Sequence, residues 1–330
     1  MCRRSGETGR RLPFSIGRGA GRPSRDQRPW PPSASGEPCS MAYQGEAFCP
    51  GHVTAFFEVC DDPDPRKKGS RGAGLCLSLG VHTVARLREA SRPSLEVFFN
   101  GQPLRAEATA RAVSEILPDG AYEVKILSDS PLPVSQGFGV SAAAALSTTL
   151  ALDDALGLGM PKADLVAAAH VAEVVSSTGL GDVVPASLGG MDLRLKPGAP
   201  GHCDVRRFDV REEILLAVVG PEIATKAVLR DPARVAAINR VGGRCVEEFA
   251  RSPSFPRLFD LGNRFAEETG LASRAVMEVT RASRMFGKAS MAMLGNAVFA
   301  TGNRVHLATV LMKFGTLLRC EVDHEGARVL

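Results

Sequence analysis

"PVSQGFGVSAAAALSTTLALDD", residues 133–154, is the stretch on which the reading of the chain turns. Gly137 and Gly139 allow a tight backbone turn that exposes its N–H groups, and the alanine-rich run behind them forms helix readily. A glycine loop feeding a helix N-terminus presents unpaired N–H donors at the positive end of the helix dipole. That combination favours a bound anion, phosphate above all. The first expectation is therefore a phosphate cradle over 137–142.

Three familiar loops fail against the same residues. A P-loop needs G-x-x-x-x-G-K-[ST], and Gly287-Lys288-Ala289-Ser290 lacks the upstream glycine and the final spacing. Gly137-x-Gly139-x-x-Ala142 satisfies the letters of a dinucleotide fingerprint, but that motif needs its first glycine directly after a strand and an acid at the end of the next one. Here nine residues with two prolines separate the strand expected at 122–127 from Gly137, and Asp153 and Asp154 fall within the helix. A nucleophile elbow, G-x-S-x-G, is broken by the two alanines after Gly139-Val140-Ser141.

Composition frames a globular protein: 330 residues, 44% hydrophobic and 23% charged, enough for two cores. The first forty residues stand apart. Eight arginines against three acids (Glu7, Asp26, Glu37) give them a net +5, which leaves 41–330 at −1 of the chain's +4. The basicity belongs to the tail, so no specific nucleic-acid partner is read from it. Residues 1–40 are expected to be a disordered Arg/Pro/Gly-rich extension, without the apolar segment of a signal peptide, and Met41 is a candidate start. The eight cysteines show no CxxC pair or zinc spacing and read as reduced thiols. No apolar run reaches the roughly 20 residues of a membrane span, so a soluble, cytoplasmic protein is expected.

Along the chain, "EAFCPGHVTAFFEVC" (46–60) reads as two strands joined at a Pro-Gly turn, 61–74 as a charged Gly/Pro-rich loop, and 75–89 as a strand. A strand and hairpin turn near 95–104, a helix over 106–117 and a strand at 121–130 lead to the quoted loop, whose helix ends near Gly157. A helix from Pro161 is followed by a second glycine-rich stretch, 177–195, that runs into a strand; 197–208 is a linker or hairpin. A buried strand, helices near 231–250, 255–269, 272–284 and 303–314, and a last strand near 316–323 complete the chain. Strands and helices mix without a βαβ rhythm, which predicts α+β with two domains, 41–195 and 196–330.

The opening stretch also fits Pro-x-x-x-Gly-[Leu/Phe]-Gly-x-Ser-[Ala/Ser]-Ala through Pro133, Gly137, Phe138, Gly139, Ser141, Ala142 and Ala143. This string resembles the ATP-phosphate loop of the GHMP kinases. A second motif agrees: Glu173 precedes "VVSSTGLGD", and Asp182 stands seven residues before Gly189-Gly190. Phosphoryl transfer explains these residue types, since Mg²⁺ prefers oxygen ligands and a substrate hydroxyl needs a carboxylate to orient it or take its proton. The third motif of the superfamily falls on "GKASMAMLGNAVFATG" (287–302), which has fewer glycines than usual, and Gly295 and Asn296 are not taken as site residues.

"AFCPGHVTAFFEV" (47–59), "DPRKKGSRGAGLCLSLGV" (64–81), "VVGPEIATKAVL" (218–229) and "ASMAMLGNAVFA" (289–300) are similar to archaeal pantoate kinases, over about 42–325. The resemblance implies the two-domain GHMP kinase fold: a ribosomal-S5-like N-terminal domain and a ferredoxin-like C-terminal α/β sandwich. It implies ATP and Mg²⁺ as cofactors and phosphorylation of the 4-hydroxyl of pantoate on the route to coenzyme A. By the same resemblance Pro133, Gly137, Phe138, Gly139, Val140, Ser141, Ala142 and Ala143 bind ATP, Ser141 and Glu173 bind Mg²⁺, and Asp182 is catalytic, as base or as hydroxyl positioner. His52 and Thr54 fall where the superfamily contacts substrate. Pantoate's carboxylate calls for a cation, with Arg71, between two glycines, the first choice and Lys67 or Lys68 the alternatives. The partner implied is this small molecule, with no membrane or specific nucleic acid, and the resemblance is compatible with a homodimer. Alternatives are a homoserine or mevalonate type of kinase, or a non-catalytic ligand-binding regulator.

Overall fold

A computed structural model describes residues 42–223 and 225–330. The extension expected over 1–40 lies outside the described residues. Two sheets organise the rest. The first holds eight strands along the path β12-β1-β2-β5-β3-β4, with β6 paired to β2 and β7 to β6. Its spine is the hairpin of β1 (Ala42–Cys60) and β2 (Gly69–Glu89), two of the longest elements in the fold. The C-terminal half of β2 pairs with β5 (Tyr122–Asp129), which carries β3 (Ser94–Phe99) and, through it, β4 (Gln102–Pro103). The N-terminal part of β2 pairs with β6 (Met191–Lys196) and, through it, β7 (Asp204–Phe208).

The turn expected at Pro50-Gly51 is not a turn. β1 runs straight through it, and the ladder with β2 only shifts register there and again between Thr54 and Phe56. Such shifts insert residues into one strand and re-aim its side chains without ending it. The charged loop is shorter than expected for the same reason: it covers 61–68, and Gly69–Gly74 pair with β1 instead.

Helices α1 (Glu107–Ile116), α2 (Val140–Leu156) and the short α4 (Val183–Leu188) pack with the first sheet, and α3 (Lys162–Ser176) packs on these three helices. Almost every residue of α2 is buried, so its alanines do more than favour helix: small side chains let it lie close to the sheet and the other helices at once. The second sheet has the antiparallel order β11-β8-β10-β9, formed by β8 (Glu213–Val218), β9 (Gly287–Met291), β10 (Ala297–Gly302) and β11 (Thr316–Glu321). Between its strands come α5 (Thr225–Leu229), α6 (Pro232–Arg251), α7 (Phe255–Thr269), α8 (Arg274–Ser283) and α9 (Arg304–Leu311). This order is that of a ferredoxin-like split βαβ arrangement.

The boundary expected at 196 falls inside the β6–β7 hairpin, and the chain passes between sheets at 209–212. It also returns: β12 (Arg328–Val329) pairs with β1. The halves share a core, in which Phe56 meets Phe249 edge-on with ring centroids 5.6 Å apart and Phe57 meets Phe265 at 5.5 Å. α6 approaches β1 so closely that a Cβ on Gly242 would stand 1.9 Å from the Phe57 carbonyl oxygen. Gly242→Ala is accordingly expected to lift α6 from β1 and cost about 1–3 kcal/mol, read by denaturant unfolding. An unchanged midpoint would show that the contact yields freely.

Candidate active site

The loop after β5 builds the expected cradle. Gly137 and Gly139 take left-handed conformations, φ +79° and +64°, and Gly139 caps α2 with no side chain bonded to the first turn. The leading amides of α2 are therefore left for a ligand, at the positive end of the dipole. Glycine is needed at 137 for a second reason: a Cβ there would meet the Ala292 carbonyl oxygen at 2.4 Å. Gly137 through Ala142 line a cavity of about 500 Å³ between the sheets; Pro133 stands ahead of the loop and Ala143 is turned into the core.

Below the cradle, Ser141 on α2 donates to the Glu173 carboxylate on α3 at 2.5 Å, and Thr178 donates to the same oxygen at 2.7 Å. Burial pushes the Glu173 carboxyl up to about 7, against the pull of those two hydroxyls. A buried carboxylate with two hydroxyls and no basic partner among the described residues fits a hard cation held by oxygen. Among the described residues no group of three or more His, Cys, Asp or Glu is placed to hold a metal ion.

Asp182 sits at the N-cap position of α4, on the cavity wall, its side chain about a quarter exposed. Its Oδ1 accepts from His52 Nδ1 at 2.9 Å and from Thr54 Oγ1 at 3.1 Å. His52 and Thr54 are two apart on β1 and so share a face, which brings both to one carboxylate. Burial alone would raise the Asp182 pKa, but the His52 hydrogen bond and charge, Arg194 and the Thr54 hydroxyl outweigh it and hold the carboxyl below its usual value.

The structure places the expected substrate residues differently from one another. Thr54 lines the cavity. The His52 ring is fully buried behind Asp182, with its other nitrogen 2.6 Å from Asp192 Oδ1, so it supports a cavity residue and lies out of a ligand's reach. Arg71 is drawn into the β1–β2 ladder opposite Glu58, to which its Nε donates at 2.7 Å; neighbouring Ser70 lines the cavity, and side chains alternate along a strand, so Arg71 faces away. Lys67 and Lys68 pair with Asp64 and Asp61 in the loop.

The buried cation at the site is Arg194 on β6. It donates to Asp192 Oδ2 and to Thr54 Oγ1, each at 3.1 Å, and its buried Nε has no partner among the described residues.

Residues 105–190 match the family model described as the GHMP kinases N terminal domain. Over 261 residues the chain is 36% identical to the pantoate kinase of Thermococcus kodakarensis, an alignment covering 77% of this chain and 86% of that protein. The chain belongs to the pantoate kinase family. It is 28% identical to the pantoate kinase of Methanocaldococcus jannaschii over 83% of this chain and 99% of that one. A solved structure described as a phosphotransferase related to the CoA biosynthesis pathway superposes with a TM-score of 0.78 at 31% identity, covering 87% and 98% of the two chains. The two-domain GHMP kinase fold expected from the sequence is thus present, and the chain is an ATP-dependent small-molecule kinase.

Sequence reasoning missed several groups at this candidate site of the pantoate kinase family member. Asp192 and Arg194 sit in "GGMDLRLKP", directly after the Gly189-Gly190 pair, and their D-x-R spacing on a strand was the available signal. Gly295, set aside at first, packs its Cα against Gln136 and Gly137, where a Cβ would stand 2.1 Å from Gln136 backbone atoms, while Met293 and Leu294 line the cavity. The 292–296 turn therefore buttresses the cradle through backbone contact. Among the described residues no helix is long and apolar enough to cross a membrane.

Proposed function

We propose that the chain transfers the γ-phosphoryl group of Mg²⁺-ATP to the 4-hydroxyl of pantoate, giving 4-phosphopantoate and ADP. One observation carries the reading within the fold. A carboxylate oxygen of Asp182 is pinned by His52 and Thr54 on the wall of the cavity that the free α2 amides also line. That supplies an acceptor for a hydroxyl proton opposite an anchor for the phosphates.

In this mechanism the amides of 139–142 hold the phosphates and compensate charge that develops on them. Ser141 and Glu173 would hold Mg²⁺, which when bound offsets charge on the β- and γ-phosphates. Asp182 orients the hydroxyl for in-line attack and accepts its proton as the new O–P bond forms. Because His52 and Arg194 keep this carboxylate a weak base, the proton moves late. The apolar wall of Phe57, Leu180 and Met293 suits the gem-dimethyl group, and the unpartnered Nε–H of Arg194, close to Gly181 and Ser70, suits a carboxylate oxygen.

The test is ADP release by the full chain with Mg²⁺-ATP and pantoate, pantothenate, mevalonate or homoserine at equal concentration. Turnover confined to pantoate is expected. Turnover with mevalonate or homoserine in its place would keep the cradle and discard the substrate.

A further inference from the structure

Five side chains behind the cavity wall close a ring. His52 links Asp182 to Asp192 through its two nitrogens, at 2.9 and 2.6 Å; Asp192 accepts from Arg194; Arg194 donates to Thr54; and Thr54 donates back to Asp182. All but Asp182 are buried. A neutral imidazole has one N–H and one lone pair, whereas a carboxylate only accepts. Hydrogen bonds from one ring to two carboxylates therefore require both ring nitrogens to be protonated. With His52 and Arg194 cationic and Asp182 and Asp192 anionic, the ring is electrically neutral, the condition under which buried charges are tolerated.

The same residue also reaches the phosphate cradle. The His52 backbone N–H donates to the Phe138 carbonyl at 3.0 Å, and a Cβ on Gly139 would touch the His52 backbone at 3.0 Å. His52 thus fixes the spacing between the loop that holds phosphate and the carboxylate that holds the hydroxyl.

Resting on the kinase reading above, we propose that Asp192 and His52 are positioning residues for phosphoryl transfer. Asp192 keeps His52 as an imidazolium, and the imidazolium pins Asp182 by Oδ1, leaving Oδ2 as the oxygen that meets the substrate hydroxyl. Burial alone would favour the neutral ring, but Asp192 and Asp182 outweigh it and raise the His52 pKa. The other groups facing the pair leave the ring's charge balance intact. Cys76, opposite His52 in the β1–β2 ladder, is an uncharged buried thiol, since burial, then Asp192, pushes its pKa well up. Gly74 lies under the ring, Ser70 contributes a hydroxyl, and Glu173 on α3 acts on Asp182 only through space.

Asp192→Asn separates charge from shape. The amide oxygen still accepts from Arg194 and its NH₂ donates to His52 Nε2, so every bond of the ring survives while Asp192 and His52 both become neutral. With the adjacent cation gone, the Asp182 carboxylate is less favoured and its pKa rises. The acidic limb of the kcat–pH profile should move to higher pH by about one unit or more, with the KM for ATP unchanged. An acidic limb that stays at the wild-type position would overturn the proposal. A loss of turnover by the wild type would instead count against the kinase reading alone. Should Asp192→Asn fail to fold, ¹⁵N spectra of the wild-type full chain decide the same point. Both His52 ring nitrogens are expected to carry protons at pH 7, and a neutral ring there sinks the idea.

Discussion

Asp182→Asn is expected to lower kcat by about 10²–10⁴-fold while leaving ATP binding close to wild type. The substitution is nearly isosteric, and the amide oxygen can still accept from His52 Nδ1 and Thr54 Oγ1, so the local fold has no reason to change. What disappears is the anionic oxygen proposed to orient the hydroxyl and receive its proton. That interaction strengthens in the transition state, so its loss falls on kcat rather than on ground-state binding. Steady-state kinetics with Mg²⁺-ATP and pantoate, combined with calorimetry of a non-hydrolysable nucleotide, separate the two. Turnover within a few-fold of wild type would remove Asp182 from the chemistry, and a parallel collapse of nucleotide binding would point to misfolding of the cradle.

The second large effect is on stability. Arg194 is almost fully buried, and its guanidinium balances Asp192 while bracing Thr54. Arg194→Ala leaves the ring with one cation against two carboxylates, without water to screen the excess charge. Removing one partner of a buried pair costs about 3–5 kcal/mol, so the thermal midpoint should fall on the order of 10 °C. Arg71→Ala is the matched control. Arg71 is partly exposed, and its pairing with Glu58 across the β1–β2 ladder belongs to the class worth about 0–1 kcal/mol. Equal losses from the two truncations would mean that the buried ring contributes no more than a surface pair.

Much of this protein was legible in local sequence. The glycine loop, its alanine-rich helix and the start of α3 after Pro161 are set by backbone propensity and short spacings, which act over a few residues, whereas Glu173 and Asp182 were reached through the motif that resembles the GHMP kinases. Such features keep their meaning wherever the chain places them, and the glycine loop and the helix behind it fold at the residues expected. The α+β class followed in the same way, from patterns that alternate every two residues or recur every three to four.

Only the tertiary structure decided which charges meet. Arg71 and Arg194 are both arginines flanked by small or apolar residues, and nothing local separates them. The ladder turns one toward Glu58 and the other beneath the cavity, 140 residues away in sequence from the threonine it braces. His52 was expected to contact substrate because, after Pro50-Gly51, it falls where the resemblance places substrate contacts. That stretch is a register shift inside one long strand, which sends the ring behind Asp182. A hydrogen-bonded ring among β1, α4 and β6 depends on strand pairing and on the face each residue occupies, and these are fixed by long-range packing. Sequence determined the chemistry available at the site; packing determined which groups would do it.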